Sequence, residues 1–295
     1  MAIPEDQLET WANIGAQVTS KTTYATIKGC LDTGEYGGKS FCNFLQGSYG
    51  NDTNIRVESD VDIVMELTGA YYYDLSALPV DQKQAFQAQV VNANYSFNDF
   101  RKDVATRLSS QLGADVQLGT KAIRIQARGS RRKADVLACV KHHKLTFFAP
   151  GHPEQKLEGI CFFKSDGTQV VNYPRLHAES LTRKNQATNG WFKPIVRVFK
   201  NARERLIAKG QLTVGVAPSY YIEGLLYNVP PQLFGTTYAA TMYQCLDHLY
   251  RTDRSQFTCA HGQYPLLDGL VDVTWNAADC STYINAMIRL WNERG

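Results

Sequence analysis

Hydrophobic and polar residues alternate with two different periods along the chain, and the change of period divides it near residue 172. Before that point, several short segments alternate at every second residue, which is typical of β-strands. After Pro174, apolar residues recur at every third or fourth position, which is typical of amphipathic helices. The sequence therefore predicts a mixed α/β (α+β) lobe over residues 1–172 and a helical lobe over residues 173–295, with a ligand cleft between them.

The first lobe is predicted to begin with a helix and to continue into a sheet. Leu8, Trp11, Ile14 and Val18 recur at helical spacing. Helices are predicted over residues 4–28, around 39–45 and within 81–112, the last as one helix or a pair. Strands are predicted from residue 61 onward and over residues 116–118, 122–126, 133–140, 144–148 and 159–163, with a hairpin turn at Gly129-Ser130.

The second lobe is predicted to consist of helices. The predicted segments are Arg175–Lys184, Trp191–Lys209, Ser219–Tyr227, Thr236–Arg251 and Asp279–Arg294. The sequence contains no internal repeat, so neither lobe is predicted to be a repeat array.

Composition narrows the possible function classes. Hydrophobic residues make up 44% of the chain and charged residues 20%, which is typical of a globular protein. The formal net charge of +3 permits anionic ligands, but the basic residues are not clustered as in a duplex-binding surface. Seven scattered cysteines without a C-x-x-C pair argue against a disulfide framework and a structural zinc site. Because the sequence shows neither a signal segment nor a membrane-length apolar run, the protein is predicted to be cytoplasmic, with no membrane partner.

Two carboxylates at the start of a predicted strand are the first candidate for chemistry. Asp60 and Asp62 flank Val61 and precede the apolar run Ile63-Val64-Met65. Residues two apart on a strand point to the same face, so the two carboxylates project together. Since like charges held side by side repel each other, such a pair is usually kept to bind a divalent cation through oxygen ligands.

A third carboxylate opens another apolar strand. Asp135 precedes Val136-Leu137 in the same way that Asp62 precedes Ile63-Val64. If the two strands are neighbours, the three carboxylates converge at one end of the sheet, where they suit a two-metal site for phosphoryl transfer. The alternative interpretation is that each Asp merely caps a strand in solvent.

A Gly-Ser turn precedes the first pair of carboxylates. Gly47 and Ser48 can offer backbone N–H groups and a hydroxyl to a phosphate. A phosphate-binding turn followed by paired carboxylates predicts metal-assisted chemistry on a nucleotide.

These motifs resemble a known superfamily. GSYGNDTNI (47–55), SDVDIV (59–64) and the distant Asp135 resemble the DNA polymerase β-type nucleotidyltransferases. The finer resemblance is to the bacterial cGAS/DncV-like nucleotidyltransferases (CD-NTases), because NYPRLHAESLTRKNQATNGWFKPIVRVFKNAR (172–203) and APSYYIEGLLYNVP (217–230) are similar to clade E members. The resemblance covers nearly the whole chain. It implies a polymerase β-like nucleotidyltransferase lobe with a mixed sheet and an N-terminal spine helix, followed by the helical lobe.

The resemblance implies a template-independent enzyme that joins nucleoside triphosphates (ATP, UTP, GTP or CTP) into a cyclic di- or trinucleotide and releases pyrophosphate. Two Mg²⁺ or Mn²⁺ ions are the implied cofactors, and no DNA template is needed. The implied role is anti-phage (CBASS) signalling, in which the product, rather than the enzyme, binds a separate effector protein. The sequence shows no Cys/His cluster like the zinc insertion of animal cGAS, which argues against activation by double-stranded DNA.

The resemblance assigns the carboxylates and a first phosphate contact. Asp60, Asp62 and Asp135 match the catalytic metal ligands of the family, and Ser48, beside Gly47, matches a serine that contacts the donor triphosphate. These positions coincide with the candidates that the residues themselves indicate.

Three residues of the helical lobe are assigned by the resemblance alone. Lys200 and Ser219 match a lysine and a serine that bind the triphosphate tail, and Tyr220 matches an aromatic residue that stacks on the donor base. A lysine is a compact charge suited to phosphate, and a ring face accepts any base. Without the family, Lys200 would be interpreted as a solvated helix charge and Tyr220 as a core residue.

Asn172 lies where the predicted strands give way to the helices. An Asn side chain both donates and accepts hydrogen bonds, so it is able to read a base edge. Family members differ in base choice, and an Asn near this position is compatible with pyrimidine selection. Equally, Asn172 is a turn residue before a helix whose first turn contains Pro174.

Two other functions are compatible with the sequence. The same site chemistry serves other nucleotidyl transfers, such as the synthesis of linear 2′–5′ oligonucleotides or the adenylylation of a small molecule. A non-catalytic nucleotide-binding module is the second alternative. Such proteins of this superfamily usually lose a carboxylate, whereas all three candidates are present here.

Overall fold

The computed structural model describes residues 3–15, 17–56 and 60–293. The chain forms two compact units. Unit 1 contains Met1–Gln17, Gln46–Ser59 and Arg175–Gly295, and unit 2 contains Val18–Leu45 and Asp60–Pro174. The predicted division at residues 172 and 173 lies close to Pro174 and Arg175, where the chain passes from unit 2 to unit 1 for the last time. The first two segments of unit 1, however, come from the first half of the chain.

Unit 2 is built on a seven-stranded mixed sheet. Its strands are β1 (Phe41–Leu45), β2 (Val61–Asp74), β3 (Val116–Leu118), β4 (Ile123–Ile125), β5 (Ala134–Phe147), β6 (Gln155–Phe163) and β7 (Gln169–Asn172). The order β1-β2-β5-β4-β3 places the long strands β2 and β5 side by side and parallel, while the other pairs are antiparallel. β6 pairs with β5, and β7 pairs with β6.

Burial explains the composition of the two central strands. Val61 and Ile63–Leu67 of β2 are buried, as are Ala134 and Val136–Val140 of β5. A parallel strand in the middle of a sheet is typically covered on both faces, so it is made of a nearly continuous apolar run rather than an alternating one. The aspartates at the second position of each strand interrupt these runs.

Two predicted elements of this unit have a different structure. The helix predicted around residues 39–45 is wrong, because Phe41–Leu45 form β1 and pair with β2. Five residues are too few to distinguish the two periods, and pairing with a neighbouring strand decides the outcome. The strands predicted over 133–140 and 144–148 are one strand, β5, and β7 has no counterpart among the predicted strands.

Three helices belong to unit 2. They are α2 (Val18–Asp32), α4 (Val80–Gln87) and α5 (Phe97–Leu112), so of the two possibilities predicted within residues 81–112, one helix or a pair, the structure has the pair. Ser96 begins α5 with a capping box: its hydroxyl accepts the backbone N–H of Asp99, and the Asp99 carboxylate accepts that of Ser96. Phe97, Phe100, Val104 and Leu108 form the buried face of α5.

The helix predicted over residues 4–28 is two helices. α1 (Glu5–Ala12) belongs to unit 1 and α2 to unit 2, and Ala16 lies outside the described residues. Between them, the Gly15 N–H donates to the Asn54 carbonyl at 3.1 Å. A Cβ on residue 15 would lie 2.6 Å from the Ile55 carbonyl carbon, so this close approach of two chain segments requires glycine.

From Pro174 onward the chain is helical. Unit 1 contains the short helix α3 (Gly47–Gly50) and the helices α6 (Pro174–Ala187), α7 (Phe192–Ala208), α8 (Ser219–Tyr227), α9 (Tyr238–Arg251) and α10 (Ala277–Asn292). The five helices predicted for this half are therefore confirmed, except that Arg294, the predicted end of the last one, lies outside the described residues. Within the described ranges, no helix combines the length and apolarity needed to cross a lipid bilayer.

One face of α7 carries three buried cations, Arg197, Lys200 and Arg203. Their spacing of three residues places them on the same side of the helix. Arg197 donates to the carbonyl oxygens of Ala12 and Asp52, each at 2.5 Å, and so ties α1 and the segment after α3 to α7. Burial lowers the pKa of Arg197 to about 10, which still leaves the guanidinium charged at neutral pH.

Candidate functional site

The pairing of β2 and β5 places two of the predicted carboxylates opposite each other. Asp62 and Asp135 are register partners in this parallel pair, and both are half-buried in otherwise buried runs. Opposed residues on neighbouring strands project from the same face of the sheet. The neighbouring strands that the three-carboxylate hypothesis requires are therefore present.

Asp60 is held in an ion pair at the start of the same two strands. The Val61 N–H donates to the Lys133 carbonyl at 3.0 Å, and the Lys133 ammonium donates to the Asp60 carboxylate at 2.6 Å. The hydrogen bond to Asp60 raises the pKa of Lys133. Both side chains are about two-fifths exposed (39% for Asp60 and 42% for Lys133), so the pair is accessible to solvent ions.

Asp135 lies in an environment that disfavours its charge. Burial raises the pKa of its carboxyl and the Asp60 charge adds to the increase, while Lys133 and Arg124 oppose it. Within the part of the chain that the structure describes, its Oδ1 atom is buried without a hydrogen-bond partner. Such an oxygen beside other carboxylates fits a divalent cation.

The described part of the chain contains no group of three or more His, Cys, Asp or Glu side chains already arranged as metal ligands. In the geometry observed, the Asp60 carboxylate is turned to Lys133. Asp62 and Asp135 are the two candidate ligands that the strand register places opposite each other.

Asn172 ends β7 in the same unit. Its side-chain Oδ1 accepts the backbone N–H of Tyr173 at 2.8 Å, which fits the role of a turn residue. A Cβ on residue 159 would lie 2.7 Å from the Asn172 carbonyl oxygen and 2.8 Å from the Tyr173 ring, so Gly159 permits this close packing. Recognition of a base by Asn172 stays a prediction.

The segment from Gly47 to Thr53 forms a compact turn in unit 1, called here the Gly47–Thr53 turn. Gly47 has φ +64°, a left-handed conformation that favours glycine. The Asn51 N–H donates to the Gly47 carbonyl at 3.0 Å, and the Thr53 N–H donates to the Ser48 carbonyl at 2.9 Å. These bonds fold the backbone around Ser48.

Lys200 is not a solvated helix charge, because its side chain is 0% exposed. Its Nζ donates to Ser48 Oγ at 2.9 Å, to the carbonyl and hydroxyl oxygens of Thr53 at 3.2 Å, and to Glu223 Oε1 at 2.9 Å. Ser48 and Lys200, which the resemblance assigns separately to the triphosphate, are thus in direct contact.

Glu223 is a buried residue that the sequence interpretation missed. It is 1% exposed and accepts hydrogen bonds from Asn51, Thr53 and Lys200, while His177 Nε2 lies 2.9 Å from its Oε2. Burial by itself raises the pKa of the Glu223 carboxyl. Lys200 and His177 lower the pKa by a larger amount, so the net pKa lies well below its usual range. A signal was available, since Glu223 is the only charged residue in the apolar helix SYYIEGLLY.

Ser219 and Tyr220 begin α8 beside this cluster. The Arg203 guanidinium donates to Ser219 Oγ at 3.1 Å. The Tyr220 ring stacks on the His177 ring, with centroids 4.6 Å apart and planes 19° from parallel. Because His177 covers one face of the Tyr220 ring, a base stacked on Tyr220 would have to lie on the opposite face. Burial raises the pKa of the Tyr220 hydroxyl, which is therefore protonated.

The predicted site residues fall into two groups. Unit 2 contains Asp60, Asp62, Asp135 and Asn172, and unit 1 contains Gly47, Ser48, Lys200, Ser219 and Tyr220. Within unit 2 the strands bring the carboxylates together, and within unit 1 α7 brings together the phosphate candidates. Residues 46–67, which contain both the Gly47-Ser48 turn and the Asp60 and Asp62 pair, are divided between the units. Residues 57–59 of this stretch lie outside the described residues.

Sequence comparison relates the chain to one family. A family model described as the cGAS/DncV-like nucleotidyltransferase C-terminal helical domain matches residues 179–292. The chain is 38% identical to a cyclic UMP-AMP synthase of Rhodothermus marinus over 299 residues, which cover 100% of both chains. It is 32% identical to the cyclic nucleotide synthase CdnE01 of Staphylococcus haemolyticus, with 99% of this chain and 100% of the relative covered.

Structure comparison gives the same relationship. The structure of Rhodothermus marinus CdnE c-UMP-AMP synthase with Apcpp and Upnpp matches with a TM-score of 0.88 and 37% identity, covering 99% of this chain and 98% of that one. The structure of Elizabethkingia meningoseptica CdnE cyclic dinucleotide synthase with GTP and Apcpp matches with a TM-score of 0.75 and 25% identity, covering 98% of both chains. The predicted α+β fold with a helical C-terminal part is confirmed.

Proposed function

Because the chain belongs to the cGAS/DncV-like nucleotidyltransferases, in their CdnE (clade E) group, we propose that it joins two nucleoside triphosphates into a cyclic dinucleotide and releases pyrophosphate. The observation that carries the proposal is the end-to-end match to the cyclic UMP-AMP synthase of Rhodothermus marinus. The reaction needs no nucleic-acid template in this proposal, and a cyclic trinucleotide is the alternative product.

The unit 2 carboxylates supply the metal site of the proposal. Asp62 and Asp135, which are register partners, would hold Mg²⁺ or Mn²⁺ through their carboxylate oxygens, and Asp60, which pairs with Lys133, would be the third ligand. The unpartnered Oδ1 of Asp135 supports this assignment. Two bound ions would neutralise the triphosphate and lower the pKa of the attacking hydroxyl.

The unit 1 residues supply nucleotide binding in the proposal. Gly47 and Ser48 bind the donor triphosphate, with Lys200 and Ser219 contributing from the helices. Tyr220 stacks on the donor base through the ring face opposite His177. The contact between Lys200 and Ser48 supports a shared phosphate site.

The biological role follows from the product. We propose that the cyclic dinucleotide is a second messenger of anti-phage (CBASS) defence and that it binds a separate effector, while the enzyme itself binds only nucleotides and metal. Since the substrates are cellular nucleoside triphosphates, the proposed location is the cytoplasm.

The product distinguishes the proposed function from its alternatives. Purified protein is incubated with ATP, UTP, GTP and CTP and Mg²⁺, treated with phosphatase, and analysed by mass spectrometry. A phosphatase-resistant cyclic dinucleotide is expected. A linear product, from which the phosphatase has removed the 5′-triphosphate, contradicts cyclase activity, and the absence of any nucleotide product favours a binding module.

Tyr220→Ala is expected to weaken nucleotide binding by about 5- to 150-fold, since stacking on one base contributes about 1–3 kcal/mol. Tyr220→Phe keeps the ring and is expected to stay within about threefold of the wild-type protein. The measurement is the KM for each nucleoside triphosphate. Tyr243→Ala, which removes a 54% exposed ring on α9, is the matched control. Equal KM values for Tyr220→Ala and the control contradict base stacking.

Asn172→Ala is expected to lower the pyrimidine content of the product by about fivefold relative to purine, which corresponds to one hydrogen bond of about 1 kcal/mol to a base edge. The measurement is product composition from an equimolar mixture of four nucleoside triphosphates. A lower total rate with an unchanged base ratio supports the turn role, in which Asn172 only accepts the Tyr173 N–H.

A further inference from the structure

We propose that Glu223 is a positioning residue that fixes the Gly47–Thr53 turn and Lys200 in the arrangement that binds a triphosphate, without itself touching the nucleotide. The inference rests on the proposed function, because it takes Ser48 and Lys200 as the triphosphate site. It adds a residue to which neither the motifs nor the resemblance assigns a role.

Both oxygens of the Glu223 carboxylate are engaged in contacts with other segments. Oε1 accepts from Thr53 Oγ1 at 2.5 Å and from Lys200 Nζ at 2.9 Å. Oε2 accepts from Asn51 Nδ2 at 3.0 Å and lies 2.9 Å from His177 Nε2. Two of these four groups belong to the Gly47–Thr53 turn, one to α7 and one to α6. A single side chain of α8 therefore holds three other segments together.

Charge makes this carboxylate necessary. Lys200 is 0% exposed, and a buried ammonium is strongly destabilising unless an anion compensates it. Glu223 is a carboxylate that contacts Lys200, and the donors around it favour its ionised form. The ammonium is thereby held where it donates to Ser48 Oγ.

The geometry also determines how the Ser48 hydroxyl is used. An ammonium has protons but no lone pair, so in this contact Lys200 donates and Ser48 Oγ accepts. The contact therefore fixes the position of the Ser48 oxygen relative to Lys200. Glu223 thus acts on the triphosphate through Lys200 and Ser48.

The test compares two ligands that differ in their phosphates. Isothermal titration in the presence of Mg²⁺ measures the affinity of Apcpp, which carries the full phosphate tail, and of AMP, which carries one phosphate. Glu223→Gln keeps the size of the side chain but replaces one accepting oxygen by a donating amide. Apcpp binding is expected to weaken about tenfold or more, because hydrogen bonds to charged groups contribute about 1.5–3 kcal/mol, while AMP binding changes by less than about threefold.

A second variant allows the proposal to be tested even if Glu223→Gln does not fold. Thr53→Val has a similar shape and removes only the hydroxyl that contacts Glu223 and Lys200. It is expected to weaken Apcpp binding selectively in the same way, and it decides the test if Glu223→Gln does not fold. Glu179→Gln on α6, whose side chain is 60% exposed, is the matched control and should bind both ligands like the wild-type protein.

A general loosening of the protein predicts a different result. Equal weakening for Apcpp and AMP, or unchanged Apcpp binding in both variants, overturns the positioning role. Because neither ligand needs to react, the result does not depend on which product the enzyme makes. A wild-type protein that binds Apcpp but forms no cyclic product contradicts the proposed function and leaves the binding comparison interpretable.

Discussion

Asp62→Asn is expected to lower the rate of nucleotide joining by about 10³-fold or more. Loss of a metal carboxylate removes several kcal/mol of charge stabilisation from the transition state, and each 1.4 kcal/mol corresponds to a factor of ten. The amide has the same shape as the carboxylate, so the register of Asp62 with Asp135 should be preserved. The measurement is pyrophosphate release under saturating substrate and Mg²⁺.

Asp135→Asn distinguishes a metal role from a structural one. It is expected to lower the rate of nucleotide joining about as much as Asp62→Asn does. The melting temperature of the metal-free variant is expected to equal or exceed that of the metal-free wild-type protein. The reason is that like charges opposed across two strands destabilise the sheet, and the buried Oδ1 of Asp135 has no donor to lose. Binding of Mn²⁺, measured by electron paramagnetic resonance, should weaken in parallel.

The matched control for both substitutions is Asp166→Asn. Asp166 lies in a turn of the same unit, with its side chain 62% exposed, and accepts a backbone hydrogen bond from Thr168. Activity of this variant should equal that of the wild-type protein. Retained turnover in Asp62→Asn would show that the metal assignment is wrong.

Lys200→Met is expected to reduce the free energy of unfolding by about 3–5 kcal/mol at neutral pH and to weaken nucleotide binding. Removal of one partner of a buried ion pair leaves an uncompensated charge, here the carboxylate of Glu223. The bonds from Lys200 to Ser48 and Thr53 are lost as well. Urea unfolding measures the first effect, and titration with Apcpp measures the second.

The destabilisation by Lys200→Met should depend on pH. In the wild-type protein the folded-state pKa of Glu223 lies below its ordinary value of 4.5, so this carboxylate contributes stability above about pH 4.5 and loses it only in more acidic solution. Without Lys200, the largest contribution that lowers the pKa of Glu223 is lost while burial still raises it, so the carboxyl is protonated more easily and protonation relieves the variant as the pH falls. The difference in the free energy of unfolding between the variant and the wild-type protein should therefore become smaller as the pH falls from 8 to 5.

Lys209→Met is the matched control for the buried lysine. Lys209 follows α7 directly and pairs with Glu293 at 2.7 Å, but both side chains are about one-third exposed (38% and 32%). A surface pair of this kind contributes about 0–1 kcal/mol, so the variant should unfold nearly like the wild-type protein. An equal loss of stability in both variants would contradict the buried-charge interpretation of Lys200.

The strands that carry the carboxylates were predictable from local composition, whereas their neighbour β1 was not. Asp62 and Asp135 each interrupt an apolar run, and that pattern is visible without a structure. The strand β1 was missed because five residues carry no clear period, and its conformation follows from pairing with β2. The break between α1 and α2 depends on the approach of Gly15 to Ile55, which helical spacing does not encode.

In unit 1 the residue types indicated the helices but not the use of their polar side chains. The sequence alone favoured a solvated Lys200, and only the resemblance assigned it to phosphate. Burial shows that it is neither exposed nor alone, since it shares its contacts with Glu223 and Thr53. Glu223 was overlooked because its partners Asn51 and Thr53 lie 172 and 170 residues away in the sequence.

The sequence by itself determined the change from strands to helices near residue 172, the positions of the carboxylates and the family to which the chain is similar. These features are local, because periodicity and motifs reflect the requirements of one element at a time. Only the tertiary structure decided that Asp62 opposes Asp135, that Asp60 pairs with Lys133, and that the Gly47–Thr53 turn is held by Glu223. Those relations depend on which distant segments pack together, and there the burial of charge is stable only when partners from other segments compensate it.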